Sequence, residues 1–401
     1  MTFAVRLAIF YGAVFLVIGC FLPFFPLWLD ARGLGAGEIG LILATPLFVR
    51  ILVTPVVSFA ADRNGDRRRF VIALASGALL SSLWFVPSTS FWAVFSVTVV
   101  FALFWVSIMP LTETIAMMVV RLEGLDYGRM RLWGSLSFIA VTVFGGAAIE
   151  RAGADAAIVM FLGALTIVVA AAFALPKPTG EGRLKAAIDQ PRIRVRDALA
   201  LLGSPLFLLM LFATSTVQGA HALYYAFGTI HWRSIGISET VIGQLWATGV
   251  VAEIALFLVS KRIVEAIGSP RLMTLAGLVA VLRWLAMAYD PPLSVLLPVQ
   301  LLHGLTFGAA HLGALHFIAQ AVPEDRAATA QGLYAAVTAG IAMGGGMLAA
   351  GPLYAQLGGR GYLVMAGVAA ISAVAAMVLN ARWRGGRLLA PRGEASDEIP
   401  A

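Results

Sequence analysis

Charge is scarce in this chain and cysteine nearly absent. Only 12% of its 401 residues are Asp, Glu, Lys or Arg, and 60% are hydrophobic, whereas an ordinary globular chain is roughly 25% charged. A soluble monomer of this length could not clothe itself in 28 basic and 21 acidic side chains. The one cysteine, Cys20, lies inside the first apolar run. It offers neither a disulfide framework nor paired metal-ligand spacing, and it reads as packing. No His-Glu-x-x-His, P-loop, Gly-rich nucleotide fingerprint or Ser-His-Asp order stands out, which argues against an enzyme and against a self-contained ATP-driven pump. No cofactor and no metal are expected. Gly344-Gly345-Gly346 falls within an apolar run, where small residues let helices approach closely.

What the chain does have is apolar length. Leu7 to Leu29 runs 23 residues without a charge, Phe70 to Thr112 runs 43, and Ala327 to Gly359 runs 33, against about 20 needed to span a bilayer. The first run is also too long for the h-region of a cleaved signal. The 43-residue run must hold two helices, with Pro87-Ser88-Thr89-Ser90 as the turn. The fold expected is an all-α polytopic membrane protein of 12 transmembrane helices. They lie near 6–29, 38–61, 69–87, 91–120, 129–150, 155–175, 205–232, 238–260, 270–289, 292–321, 326–354 and 360–381. Residues 176–204 are polar and proline-bearing, and they divide the chain into an N-terminal six-helix half, 1–175, and a C-terminal six-helix half, 205–384. Residues 385–401 read as a disordered cytoplasmic tail.

The charges then acquire a direction. The two termini and the loops on their side hold 22 of the 28 Lys and Arg, the opposite loops hold four (Arg32, Arg151, Arg233, Arg360), and Arg50 and Arg283 lie inside helices. That bias places both termini and the linker 176–204 in the cytoplasm. The pI of 9.9 therefore records topology and contact with anionic lipid, with no nucleic-acid partner implied. Arginines outnumber lysines 25 to three, a bias that suggests a GC-rich bacterium and hence its inner membrane.

An internal repeat supports the division into halves. Shifting the chain by 203 residues lays Ile39-Gly40-x-x-x-Ala44-Thr45 on Ile242-Gly243-x-x-x-Ala247-Thr248, with Arg50 on Glu253, Asp62 on Glu265, Gly65 on Gly268 and Arg68 on Arg271. Two parallel six-helix repeats about an axis normal to the membrane are one of the recurring transporter plans, with substrate bound near midplane.

Four charges oppose insertion: Arg50, Glu113, Glu253 and Arg283 stand in otherwise apolar helices, where each costs about 3 kcal/mol on insertion scales unless it meets a cavity or a partner. Arg131 starts the fifth helix, and His221, His303, His311 and His316 lie in or near helices 7 and 10. At 100° per residue His303 and His311 share one face and His316 points away. Buried ion pairs that fix helix packing are the alternative reading of the charges. Trp28, Trp92, Trp232 and Trp383 sit at helix ends and read as interfacial belt, while Tyr224, Tyr225 and Trp246 lie deeper.

Several segments carry a resemblance. Asp62-Arg63-Asn64-Gly65-Asp66-Arg67-Arg68 resembles the loop signature of the major facilitator superfamily, in which Asp62, Gly65, Arg67 and Arg68 would form a cytoplasmic latch. Ser58 replaces the usual Gly four residues earlier. Pro110 to Ala116, Leu125 to Ser135, Gln218 to Tyr225, Gly249 to Glu253 and Gln300 to His303 are similar to the 3-phenylpropionic acid transporter branch, which is related to lactose permease. That resemblance implies a proton-coupled symporter working by alternating access. Glu113 and Arg131, eighteen apart, would contact substrate, joined by His221, Tyr224 and Arg50; Glu253, Arg283 and His303 would serve proton coupling. Where the permease pattern has its coupling carboxylate this chain has Thr306, so the proton falls to another group, Glu253 or Glu113. The partners implied are a small-molecule substrate, protons and membrane lipid, acting on a monomer. A small aromatic or other organic acid leads as substrate; a sugar, oligosaccharide or nucleoside, or drug export, is the alternative.

Overall fold

The computed structural model describes residues 2–175 and 195–389, and these residues form helices and turns without a strand. Eleven helical stretches among them are long and apolar enough to cross a membrane. The last, Glu324–Arg382, is 59 residues long, which at 1.5 Å per residue is near 90 Å and about three times the hydrocarbon thickness of a bilayer. It is divided by a 3-10 turn at Gly358–Gly361. The spans are α1 Phe3–Ala31, α2 Ala36–Asn64, α3 Arg67–Phe85, α4 Phe91–Glu123, α5 Tyr127–Ala152, α6 Asp155–Ala174, α7 Pro205–Ser234, α8 Glu239–Leu258, α9 Ser269–Met287 and α10 Leu293–Ala321. Then come α11, which begins at Glu324 and ends at Leu357, and α12 Tyr362–Arg382. Most of the expected linker, 176–194, and most of the expected tail, 390–401, lie outside the described residues.

Local chemistry sets the helix ends. Glu38 Oε2 accepts the Gly35 amide at 2.8 Å to open α2. Gly65, at φ 78°, closes it in the left-handed region. Asp66, Ser90, Asp126 and Ser204 each cap the helix that follows by accepting an amide three residues on. The turn expected at 87–90 is present, since α3 ends at Phe85 and Ser90 caps α4. Leu52, Val56, Phe59, Phe144 and Val159 are exposed. On a membrane protein such side chains face lipid.

Several spans are interrupted. The helix of α4 breaks between Trp105 and Ile108, and that of α7 at Ala220–His221. α10 winds through a π turn at Gly304–Gly308, and α11 through another at Ala336–Ala342. Breaks of this kind free backbone groups at membrane depth and are tolerated where other polar groups satisfy them.

The described residues form two compact units. The first comprises those within Met1–Ala187, Leu223–Val250 and Met347–Gly358. Its core is an aromatic stack of Phe21, Phe25, Trp28, Phe85, Phe101 and Phe161. Two helix crossings in this unit are made on glycine. A Cβ on Gly243 would collide with the Thr142 carbonyl, and one on Gly146 with the Glu239 carbonyl, so α5 and α8 touch backbone to backbone. A Cβ on Gly40 would lie 2.7 Å from the Met347 carbonyl and one on Gly351 2.6 Å from the Ala36 carbonyl, which joins α2 and α11 in the same way. Glu150 at the end of α5 also accepts the Thr240 amide at 3.0 Å. The repeated Ile-Gly pairs thus mark two equivalent close approaches.

The second unit comprises those within Ile188–Ala222, Val251–Gly346 and Gly359–Ala401. Here α9 packs on α12 through Gly277 against Ala373, and the Ser372 hydroxyl donates to the Ala213 carbonyl at 2.6 Å to join α12 to α7. Phe207, Met210, Phe317, Ile318 and Leu379 form its core. The short helix Val195–Leu202 docks by burying Leu201 and by an ion pair, Asp197 to Arg326 at 3.3 Å.

Candidate functional site

The first unit assembles the acid and base expected from α4 and α5. Glu113 accepts a hydrogen bond from the Tyr127 hydroxyl at 2.8 Å. The Arg131 guanidinium lies over the Phe15 ring at 3.9 Å and faces Tyr11 at 5.8 Å. Tyr11 is fully buried and meets Tyr127 edge to face at 6.3 Å. A planar guanidinium stacked on an aromatic face keeps its N–H fork directed sideways, where it suits a carboxylate. Gly134, one turn after Arg131, leaves room for Phe15 and the guanidinium, and a Cβ there would press on both. Tyr11, Phe15 and Tyr127 escape the sequence reading. Nothing in a chain with 24 Phe and eight Tyr separates lining aromatics from packing ones. Arg50 stands exposed on α2, and among the described residues no hydrogen bond or ion pair joins it to Glu113 or Arg131.

The same unit holds Tyr224, which stacks on Trp246 at 4.6 Å and meets Trp232 edge-on at 5.7 Å. Tyr225 also lies against Trp246, at 6.0 Å. The Trp246 indole N–H donates to Thr229 at 3.0 Å. Trp232, read from sequence as belt, is buried in this stack. Trp28 is buried as well: its indole donates to Asp155 at 3.1 Å while Arg32 covers the ring at 4.9 Å. A satisfied N–H lets the Trp28 and Trp246 indoles be buried.

In the second unit a polar network crosses α7, α9 and α10. Arg283, fully buried, donates from Nη1 to His303 Nδ1 at 3.0 Å and to Thr306 Oγ1 at 3.1 Å, and from Nη2 to Gln300 Oε1 at 3.0 Å. His221, also fully buried, contacts Thr306 Oγ1 through Nε2 at 3.0 Å and the Val217 carbonyl through Nδ1 at 2.9 Å. Its ring packs on Trp284, His303 and Phe307. Gln218 donates to the Phe307 carbonyl at 3.2 Å. Arg283 and His303, singled out from sequence, therefore meet, and His221 joins them through Thr306; Gln218 and Gln300 have no role assigned from sequence, and Thr306 shows there only as the lack of a carboxylate. Glu253 runs beside this layer, with its Cγ 3.5 Å from where a Cβ of Gly308 would sit.

Helical arithmetic places His303 and His311 on one face, but they engage different partners. His311 Nδ1 is 3.0 Å from the Tyr334 hydroxyl on α11. The π turn at Gly304–Gly308 lies between the two histidines, and a π turn changes the register that 100° per residue assumes. Among the described residues no group of three or more His, Cys, Asp or Glu could hold a metal ion.

The loop after α2 is tied by its own charges. Arg67 pairs with Asp62 at 2.7 Å, Gly65 supplies the left-handed turn, and Arg68 donates to the Phe173 carbonyl at the end of α6.

Buried ionisable groups, broken helices and an apolar exterior define a polytopic transporter, not an enzyme, and comparison with known proteins agrees. Residues 4–364 match the model of the MFS_1 like family, and the chain belongs to that family. It is 33% identical over 371 residues, 90% of its length and 94% of the relative's, to the "Probable 3-phenylpropionic acid transporter" of Escherichia coli K12. It is 28% identical to the maltose permease of Geobacillus stearothermophilus, covering 83% of each chain. The fold matches a crystal structure of nucleoside transporter NupG at TM-score 0.83 and 17% identity, covering 96% of this chain and all of that one. The protein is thus a multi-pass inner-membrane transporter of major facilitator type.

Proposed function

We propose that the protein is a proton-coupled symporter of a small aromatic carboxylate, working by alternating access as a monomer with both termini in the cytoplasm. The observation that carries the reading is the seating of Arg131 on Phe15 and beside Tyr11, with Glu113 and Tyr127 alongside. An aromatic acid presents a carboxylate to the guanidinium fork and a ring to aromatic walls. The E. coli relative's name points to the same chemistry. In this reading Glu113 and Arg131 hold substrate, and Tyr224 and Arg50 contribute to its binding, while His221, expected to join them, belongs to the network of Arg283 and Thr306. Glu253, Arg283 and His303 serve proton coupling, and Asp62, Gly65, Arg67 and Arg68 form the cytoplasmic latch.

Accumulation of labelled 3-phenylpropionate in cells, collapsed by a protonophore, is the expected result. Accumulation of a sugar with no response to aromatic acids overturns the substrate. That second reading draws on the maltose permease relative and on the Glu113–Tyr127 hydrogen bond, which suits a hydroxylated substrate. A thermal-shift screen of the purified protein separates the two, since a ligand that binds only the folded state raises Tm.

A further inference from the structure

We propose that Nε2 of His221 is the membrane-embedded proton site and that the Thr306 hydroxyl is its switch. The inference rests on the proton-coupled reading above and deepens it by naming the acceptor atom.

Hydrogen-bond donors and acceptors decide between the two histidines of the network. A guanidinium has N–H donors and no acceptor. Arg283 Nη1, 3.0 Å from His303 Nδ1, therefore requires that nitrogen to be bare. A proton added there would set N–H against N–H and break the bond, so His303 is locked as the acceptor of Arg283. At His221 the constraint is opposite. Nδ1 faces the Val217 carbonyl at 2.9 Å, which only accepts, so Nδ1 carries hydrogen and Nε2 is the atom free to change state.

Nε2 faces a group that tolerates both states. Thr306 Oγ1 has one hydrogen and two lone pairs, and it stands 3.0 Å from His221 Nε2, 3.1 Å from Arg283 Nη1 and 3.3 Å from the His303 carbonyl oxygen. With His221 neutral, the hydroxyl donates to Nε2 and accepts from Arg283. With Nε2 protonated, the oxygen accepts from both His221 and Arg283, and the hydroxyl turns to donate to the His303 carbonyl. One rotation about the threonine C–O bond accommodates the change, while His221 Nδ1 keeps its hydrogen bond to Val217 and Arg283 keeps its hydrogen bond to His303 Nδ1. The proton arrives from water on one side and leaves from Nε2 to water on the other; the threonine hydrogen stays on its oxygen. A carboxylate at position 306 would take the proton itself. Threonine instead passes the role to the ring it touches.

The charged surroundings give this site its coupling. Facing it are Arg283 from α9 and His303 from α10, with Glu253 of α8 running past Gly308. α12 contributes Tyr362, stacked on Trp284 at 5.7 Å, and α11 contributes Ala342 against Gly219. In the protonated state two cations donate to one hydroxyl oxygen. Their repulsion loosens Arg283 from Thr306 and makes the protein more receptive to an organic anion, so proton and anion assist each other by reciprocal linkage.

The test is ring 15N NMR of the full-length protein, labelled at histidine, in lipid nanodiscs between about pH 5 and 9. With saturating 3-phenylpropionate bound, one resonance is expected to convert from neutral imidazole to imidazolium within that range, to be lost in His221→Asn, and to persist in Thr306→Ser. Thr306→Val, nearly the same shape without the hydroxyl, loses the conversion from that window. At pH 7 saturating 3-phenylpropionate raises the protonated fraction, whereas the uncharged 3-phenylpropanol leaves it unchanged. The proposal is overturned if His221 stays neutral throughout, if the converting signal disappears in His303→Asn and not in His221→Asn, or if Thr306→Val titrates like the parent. Should His221→Asn not fold, the Thr306 pair decides alone.

In proteoliposomes, accumulation of 3-phenylpropionate driven by a pH gradient falls at least about tenfold in Thr306→Val, while counterflow at equal pH stays within about twofold. A parent protein that moves no 3-phenylpropionate overturns the aromatic-acid reading and leaves the titration to judge His221.

Discussion

At the scale of single residues, the seat of Arg131 makes a demand that charge alone does not meet. Its guanidinium lies flat on Phe15 at 3.9 Å, and a lysine ammonium has no plane to stack and no fork to offer a carboxylate. Arg131→Lys is expected to reduce uptake by one to two orders of magnitude, since a hydrogen bond to a charged group contributes about 1.5–3 kcal/mol. Tyr127→Phe, which removes the donor to Glu113, falls in the same range, and both are checked by initial rates of labelled uptake. A variant that matches the parent would detach that residue from substrate. Legibility at this scale follows energetics: a charge in an apolar helix advertises itself because insertion penalises it, and so Arg50, Glu113, Glu253 and Arg283 can be picked out from sequence, whereas Arg131 at a helix start is marked only by resemblance. An aromatic ring or a threonine hydroxyl carries no such penalty. Tyr11, Phe15 and Tyr127 therefore remain silent, and Thr306 shows only as the lack of a carboxylate.

The elements carry a different kind of information. Helix number and the turn at 87–90 follow from apolar length and capping chemistry, because hydrocarbon thickness fixes what a span must be. The π turns at Gly304–Gly308 and Ala336–Ala342 leave no mark in composition, so the angular relation of His303 to His311 could not be computed in advance. The glycines of the repeat were readable as a pattern and not as contacts, since contact depends on which helix arrives opposite. Gly243→Val is expected to drive α8 away from the Thr142 carbonyl and to lower Tm by several degrees, measured on purified protein. An unchanged Tm would mean that the crossing of α5 and α8 adds nothing to stability. The short helix Val195–Leu202 offers a second check. Breaking a largely buried ion pair leaves an uncompensated charge and costs about 3–5 kcal/mol, so Asp197→Ala destabilises more than the double change Asp197→Ala with Arg326→Ala. The pair at 3.3 Å is then isolated by a double-mutant cycle in chemical denaturation.

For the whole molecule, the distribution of arginine predicts sidedness. Cys20 is buried and the only cysteine, so Cys20→Ala provides a background for placing single reporters. A cysteine at Thr89, exposed in the turn after α3, is expected to react with a membrane-impermeant maleimide in right-side-out vesicles, and one at Lys261, exposed after α8, only in inside-out vesicles. The reverse pattern would overturn the placement of both termini in the cytoplasm.

The glycine crossing of α5 and α8 also bears on how the chain tolerates mutation. At Gly243 and Gly146 the space of a β-carbon is already taken by the backbone of the facing helix. Every amino acid other than glycine carries that carbon, so conservative and radical replacements meet the same obstruction. In a saturation library scored for transport these positions should appear as columns in which alanine fares little better than tryptophan, unlike the graded tolerance of apolar positions in contact with lipid. The passage of α5 past α8 is thus narrow in sequence space as well as in ångströms.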